Sequence, residues 1–455
     1  MGDKVTTNFV NKIFCGDCQK ILRQYIPDNS VDLIYADPPF FTEKKYEVIW
    51  GDGYEIRAYE DRWKGGIQNY LAWMEPKLRE CHRVLKPTGS LYLHCDYHAN
   101  AYLKILLDRI FGEENFGDEI IWTTIAKHDR KITHLGRFHD TIFRYVKTNR
   151  AIWNTQHKAL NEDYIEKVYK YTDKRGRYKR SDLSAASGGQ TLIYKWKGHY
   201  PPKGRFWMFS KERMEELDRQ GRIDYGKNGK PYLKTYLNES KGIPLQDVWM
   251  DIPPLSSADR ERLGYPTQKP ERLLERIINL SSNPMDIVLD PFCGCGTAIA
   301  VAHKLGRRWI GIDISPTACK LMFKRIQKLN PQLRFEETVI GMPKTIEEIR
   351  QLQPFEFQNW VIQKLGARAS ERKIGDMGID GFTFDLRPIQ VKQSDNIGRN
   401  VIDNFETAMR RVKAKKGIII AFSFGKGAYE EVARAKLQEG LEIELMTVEE
   451  LLKLA

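Results

Sequence analysis

No apolar run in the 455-residue chain approaches the roughly 20 residues that a membrane-spanning helix needs, which argues against a helical membrane protein. Met1-Gly2-Asp3-Lys4 leads straight into polar sequence without an apolar signal core, so neither secretion nor a removed leader is indicated and a cytoplasmic location is expected. Cysteine is sparse. Seven of them, an odd number spread over a long chain, do not build a disulfide framework and fit free thiols in a reducing compartment. Cys15/Cys18 and Cys293/Cys295 are close pairs that a split zinc site could use, but both lie beside glycines in loops that have a better account below. Internal repeats and low-complexity tracts are also missing, which excludes a solenoid or a disordered linker protein.

What is present is the composition of a globular protein: 41% hydrophobic residues, including 10 Trp and 20 Phe, on a chain long enough for two or three domains. The net charge of +13 is unevenly placed. Residues 121–252 hold 27 Lys+Arg against 15 Asp+Glu, whereas residues 346–455 hold 17 of each. A basic central segment is what a phosphate-contacting module looks like, although a solvated basic face would give the same count.

Up to about residue 147 the pattern alternates strands and helices, as in a parallel sheet with helices on its faces. Residues 31–36 read as a buried strand, 70–85 as a helix, 86–90 as a turn and 91–95 as the next strand. The middle segment interleaves aromatic and basic residues with poor periodicity, as in Tyr171-Thr172-Asp173-Lys174-Arg175-Gly176-Arg177-Tyr178. Regular α/β sequence resumes after Gly264, with a helix over 272–281, strands over 287–290 and 309–313, and a helix over 298–305. A boundary falls near Met342-Pro343-Lys344-Thr345, dividing residues 1–345 from a compact α/β stretch over 346–455.

Asp290-Pro291-Phe292-Cys293-Gly294-Cys295-Gly296-Thr297 runs from a strand through a glycine turn into a helix, where the backbone can approach a ligand closely. Asp313, 19 residues beyond Gly294 at the end of the next strand, can accept hydrogen bonds from both hydroxyls of a ribose. A nicotinamide dinucleotide would fit this much, but the G-x-G-x-x-G spacing is missing. Asp37-Pro38-Pro39-Phe40 follows a strand, so its groups stand at the carboxyl edge of the sheet. An exocyclic base amine is a poor nucleophile because its lone pair is delocalised. Two acceptors aimed at its N–H bonds, the Asp37 carboxylate and the Pro38 carbonyl, would free that lone pair, with Pro39 stiffening the turn. Phe40 offers a stacking face for a base extruded from the duplex. An isolated D-P-P-F can also be no more than a Pro-Pro turn.

Together these motifs resemble the amino-methyltransferases, the adenine-N6 and cytosine-N4 DNA methyltransferases, over about three quarters of the chain. The catalytic motif precedes the cofactor loop, as in the permuted β group. That resemblance implies a Rossmann-like α/β fold, S-adenosylmethionine as cofactor, double-stranded DNA as substrate and, allowed for but not specified, a homodimer. It implies that Asp17, after Gly16, reads the cofactor adenine. Gln268 and Lys269, within Tyr265-Pro266-Thr267-Gln268-Lys269-Pro270, wrap the methionine end. Asp290, Phe292, Gly294, Gly296, Thr297 and Asp313 complete the cofactor set, and Leu85-Lys86-Pro87-Thr88-Gly89 is the turn before a sheet strand. Residues 121–252 fall where the family keeps its inserted target-recognition region. Asp37 favours adenine over cytosine, for which S-P-P-Y is commoner. No Pro-Cys dipeptide occurs, so the cysteine route to ring-carbon methylation is unsupported.

Asp380 and, one strand later, Gln390-Val391-Lys392 resemble the PD-(D/E)xK nuclease fold in its Mrr-like variant. Residues 390 and 392 share a face of a strand, so a metal ligand and a lysine can converge on one phosphate. Glu356 is the expected second acid, and Asp380 the expected Mg²⁺ ligand. An ordinary α+β domain with a buried Lys–Asp pair is the alternative. If both parts work, the chain fuses restriction to modification; if only the second does, it is a Mg²⁺-dependent nuclease whose methyltransferase-like part recognises DNA.

Overall fold

The computed structural model describes residues 9–41, 45–49, 55–60, 66–127, 135–256, 258–263, 267–369 and 378–454. They divide into two compact units, one drawn from residues 1–154 and 247–455, the other from 155–246.

The first unit is built on a nine-stranded sheet. Its strands are β1 (Lys12–Cys15), β2 (Val31–Ala36), β3 (Leu85–Cys95), β4 (Phe116–Lys127), β5 (Arg137–Val146), β6 (Val248–Trp249), β7 (Ile287–Asp290), β8 (Arg308–Asp313) and β9 (Val339–Ile340). They lie in the order β6-β4-β5-β3-β2-β7-β8-β1-β9, and β5 alone runs antiparallel to its neighbours. Strands β2 and β7 are buried throughout, the continuous apolar pattern of parallel strands covered on both faces. Helices α1 (Cys18–Tyr25), α2 (Gly66–Val84), α3 (Asn100–Phe111), α4 (Glu271–Ser281), α5 (Thr297–Lys304) and α6 (Pro316–Leu329) accompany it. Leu22, Met74, Leu78, Leu103 and Leu107 from the first three pack with Ile34, Leu93 and Leu289 of the sheet.

The expected turn at 86–90 is instead an irregular stretch inside β3: Val31 pairs with Leu85 but Leu33 with Ser90, so extra residues bulge out on β3. The bulge is fixed by Lys86, whose Nζ lies 2.8 Å from both oxygens of buried Asp32; Asp32 also accepts the Ile287 N–H at 2.9 Å.

The basic segment divides differently from the sequence expectation. Residues on its flanks, in β4, β5 and β6, belong to the large sheet, and the separate unit is 155–246, with 20 Lys+Arg against 11 Asp+Glu. Despite its weak periodicity this unit has a four-stranded sheet of Ile223–Tyr225, Pro231–Tyr236, Gly176–Asp182 and Tyr171–Asp173. Trp196, Trp207, Met214 and Leu217 form its core, so part of the aromatic content is structural.

The C-terminal stretch carries a five-stranded sheet in the order β10 (Arg368–Ala369), β11 (Gly381–Phe382), β12 (Pro388–Val391), β13 (Lys416–Ala421), β14 (Glu442–Thr447). Helix α7 (Pro354–Lys364) covers the face bearing Ile389, Ile418 and Ile420; α8 (Arg399–Arg411) and α9 (Lys426–Arg434) cover the other, with Ile419 and Ile443. No described helix is long and apolar enough to cross a membrane.

Candidate active site

Four adjacent strands, β2, β7, β8 and β1, end at one edge of the sheet, and each delivers an acid there: Asp37 just after β2, Asp290 closing β7, Asp313 closing β8 and Asp17 just after β1. Parallel strands point their carboxyl ends the same way, so segments as far apart as residues 17 and 313 meet at this edge. A cavity of ≈ 170 Å³ opens there. Its lining includes Asp17, Asp37, Pro39, Gln268, Lys269, Asp290, Phe292, Gly294, Thr297 and Asp313, which is most of the set expected from sequence.

The turn after β7 is shaped by its glycines. Gly294 and Gly296 have φ of 51° and 79°, and a Cβ on Gly296 would stand 2.9 Å from Met322 Cγ. Gly296 is the N-cap of α5 and sits behind the cavity wall. The Gly294 and Ser315 N–H groups donate to the two oxygens of Asp313 at 2.8 and 2.9 Å, and the Phe292 N–H donates to Asp290 at 3.0 Å. Burial raises both carboxyls above the usual carboxylate range. For Asp290 the rise is large, with the charges of Asp37 and Asp313 adding to it. Asp17 accepts the Lys20 N–H as the N-cap of α1 and lies 3.5 Å from Lys77 Nζ. Thr297 accepts from Arg325 at 3.0 Å.

At the other end of the cavity Lys269, 8% exposed, donates to Asp37 Oδ2 at 2.5 Å, and its ammonium stands 5.0 Å from the centre of the Phe40 ring. Gln268 also braces the preceding loop, since its side chain accepts the Leu263 N–H and donates to the Glu261 carbonyl. Pro38 is buried and Phe40 half-buried. Gly264, Tyr265 and Pro266, the last two from the expected 265–270 motif, lie outside the described residues.

Sequence reasoning passed over several residues of the site. Trp73 and Lys77, one turn apart on α2, line the cavity, with the Lys77 ammonium 4.3 Å from the Trp73 ring and that ring 5.8 Å from Phe292. Tyr35 also lines it, and behind Phe40 lies His94. A half-polar helix and a strand interior carry no motif, so only the spacing of Trp73 and Lys77 hinted at a shared face. The seven cysteines are free, and among the described residues the one group of three or more candidate ligands in metal-binding proximity, Asp403, Glu406 and Glu431, contains no cysteine and is held by Arg399, Arg410 and Arg434.

In the C-terminal sheet the expected set is only partly assembled. Asp380 accepts the Val391 N–H at 2.7 Å, so it lies beside the strand of Gln390, with Lys392 just past that strand's end. Gln390 is buried and pairs with Ile419, on the face opposite the one that α7 covers. Glu356, on α7, is placed elsewhere: it is 6% exposed and its carboxyl lies by Ser315, facing Asp313, with Oε2 lacking a partner. The first half of the loop before Asp380, Gly375-Asp376-Met377, lies outside the described residues.

Comparison with known proteins agrees with this arrangement. The family described as DNA methylase matches residues 31–324, and one described as restriction endonuclease matches residues 349–455. The chain is 33% identical to the type II methyltransferase M.EcaI of Enterobacter cloacae, over 67% of this chain and 66% of that protein. It is 28% identical to the type II methyltransferase M.BamHI of Bacillus amyloliquefaciens, over 75% of this chain and 64% of that protein. Against the DNA adenine methyltransferase YhdJ of Escherichia coli K12 the identity is 30%, over 70% of this chain and 83% of that protein. The chain thus spans just under two thirds of the length of the first two relatives. With four acids converging on one sheet edge and a family match over most of its length, the chain belongs to the DNA methylase family.

Proposed function

We propose that the chain is an S-adenosylmethionine-dependent DNA methyltransferase acting on an exocyclic base amine, adenine N6. The observation that carries this reading is the juxtaposition of Asp37 with a second set of acids, Asp17, Asp290 and Asp313, around one cavity, with the Phe40 ring beside it at 5.0 Å from the ammonium of the lining residue Lys269. The residues fit the cofactor: acids for hydroxyl and amino groups, the Trp73 and Phe292 rings for a flat base, and Gly294 of the glycine turn, which lines the cavity and bonds Asp313. Asp313 would hold the ribose, Asp17 the adenine edge, and the segment with Gln268 and Lys269 the amino-acid end. Bound there, S-adenosylmethionine supplies an electrophilic sulfonium methyl.

The chain's own part is acceptance and positioning. Asp37 Oδ2 accepts from Lys269, and its other oxygen together with the Pro38 carbonyl can take the two N–H bonds of the target amine. Hydrogen bonds from both N–H groups to these acceptors free the nitrogen lone pair, holding it in line with the methyl supplies the rest, and the one proton the amine must lose would pass to the Asp37 carboxylate. Phe40 stacks the extruded base, while the net positive unit 155–246 contacts the phosphates of the duplex. The adenine assignment rests on Asp-Pro-Pro-Phe and on likeness to a relative named as an adenine enzyme. Asp37→Ala tests the reading: transfer of labelled methyl to DNA is lost while DNA and cofactor binding persist. A variant that still methylates would remove Asp37 from the chemistry.

The C-terminal domain is proposed to add Mg²⁺-dependent cleavage of DNA. Gln390 Oε1 is buried without a hydrogen-bond partner, which suits a ligand position, and Asp380 lies beside the same strand. Those two would hold the ion and Lys392 would face the phosphate. Cleavage of unmodified plasmid in Mg²⁺ that Lys392→Ala abolishes supports this; equal nicking by the variant removes it.

A further inference from the structure

Behind the Asp37–Phe40 turn, four neighbouring strands each contribute one side chain to a row that crosses the sheet toward the site. Tyr35 comes from β2, His94 from β3, Asp140 from β5 and Trp122 from β4. His94 is its centre. It is fully buried, with Nδ1 2.9 Å from the Tyr35 hydroxyl and Nε2 3.4 Å from Asp140 Oδ2, a long contact that leaves this nitrogen without a well-formed bond. Burial keeps the Tyr35 hydroxyl protonated and so able to donate to Nδ1; in the tautomer that accepts this bond, the ring's own proton points from Nε2 toward Asp140. Although burial opposes it, the interaction with His94 holds Asp140 below the usual carboxylate range, with the Lys269 ammonium contributing. The Tyr35 bond, with the longer contact to Asp140, thus orients the ring, and other parts of it face its aromatic neighbours: Phe40 lies at a centroid distance of 5.7 Å, and Trp122 meets it edge-on at 5.6 Å.

A buried histidine held by one hydrogen bond and one long contact to a carboxylate is a demanding way to fill a core where a phenylalanine would pack. None of the proposed steps uses it, yet it touches the residue on which the target base must stack. The Phe40 ring is held between His94 on one side and the Lys269 ammonium on another, and Lys269 also holds Asp37. The orientation of Phe40 and that of the Asp37 acceptor are therefore set by one connected group.

We propose that His94, clamped between Tyr35 and Asp140, is a positioning residue that fixes the Phe40 ring as the platform for the extruded base. This rests on the methyltransferase reading. Substitutions at His94 and Asp140 act on base placement and not on cofactor binding, since neither residue lines the cavity; of the clamp only Tyr35 does. It predicts a split: variants lose extrusion and transfer rate while cofactor affinity stays.

The test uses the full chain and three variants. His94→Phe keeps a ring but removes both tethers; Asp140→Asn weakens one tether at a residue that is not fully buried; His94→Asn keeps an acceptor near the Tyr35 hydroxyl. Single-turnover transfer of labelled methyl to duplex DNA is measured alongside cofactor binding. The fluorescence of 2-aminopurine, placed at the adenine that becomes labelled, reports extrusion. We expect His94→Phe to lower the single-turnover rate at least about tenfold and to reduce the fluorescence rise, with cofactor affinity within about twofold of the unsubstituted chain. Asp140→Asn should move the same two readouts less, and His94→Asn should recover part of the loss. Unchanged rate and fluorescence in both His94→Phe and Asp140→Asn would overturn the proposal. So would a parallel loss of cofactor affinity, which marks a general structural role. If the unsubstituted chain transfers no methyl, the methyltransferase reading itself fails, a result distinct from active protein with indifferent variants.

Discussion

Replacing Glu356 by glutamine should stabilise the protein in alkali and hardly at all in acid. The carboxyl is buried on α7 beside Ser315, and burial, with the charge of Asp313 adding, lifts it from an ordinary 4.5 to about 8. A carboxyl whose folded value is raised binds its proton more tightly when folded, so stability is fully present below the unfolded value of 4.5. It is then lost progressively as pH rises toward 8. Each unit of separation corresponds to ~1.36 kcal/mol, so between pH 5 and pH 8 the native state gives up about 3–4 kcal/mol that glutamine, which never ionises, does not. Oε2 has no hydrogen-bond partner, and the Ser315 hydrogen bond to the carboxyl offsets only part of the cost of burying the charge. Paired urea titrations of the two proteins at pH 5 and pH 8 read the effect as a difference of midpoints, in which other titrating groups cancel. Refutation would be an offset that is the same at both pH values, or a variant less stable at pH 8.

Gly296→Ala should cost about 1–3 kcal/mol, because a left-handed φ of 79° and Met322 at 2.9 Å both oppose a Cβ; thermal melts check it. Asp313→Asn should weaken S-adenosylmethionine binding by about tenfold, the scale of one charged hydrogen bond, measured by calorimetry. Lys269→Met should leave Asp37 without its cation and lower the rate of methyl transfer about tenfold or more in single-turnover assays. Lys86→Ala should destabilise by about 3 kcal/mol, since buried Asp32 loses its ion pair; chemical denaturation measures it.

The cofactor loop and the Asp37 turn could be read from sequence because each joins a buried strand to a motif whose spacing has a backbone reason. That parallel strands bring Asp17, Asp37, Asp290 and Asp313 to one edge followed from the expected sheet. The contacts that tie the site together were not readable. Lys269–Asp37 spans 232 positions, and His94 sits in the strand Leu91–Cys95 with no signal beyond being polar among apolar neighbours. The turn expected at 86–90 failed because Pro87 and Gly89 mark a bulge as readily as a turn, and pairing with β2 on both sides decides between them. Charge counting located the basic segment but overran the separate unit, because β4 and β5 carry basic residues while hydrogen-bonding into the large sheet. Glu356 was misplaced for a simpler reason: which face of α7 meets the sheet depends on what else the helix packs against. Here Gln363 on α7 bonds Thr317 and Lys320 of α6.

The central claim is tested most directly by incubating the full chain with duplex DNA and S-adenosylmethionine labelled in its methyl group, then identifying the labelled nucleoside by mass spectrometry. The account predicts N6-methyladenine, formed by the unsubstituted chain and not by Asp37→Ala. Label found only in N4-methylcytosine would contradict the adenine assignment, and DNA without label would contradict the methyltransferase reading as a whole.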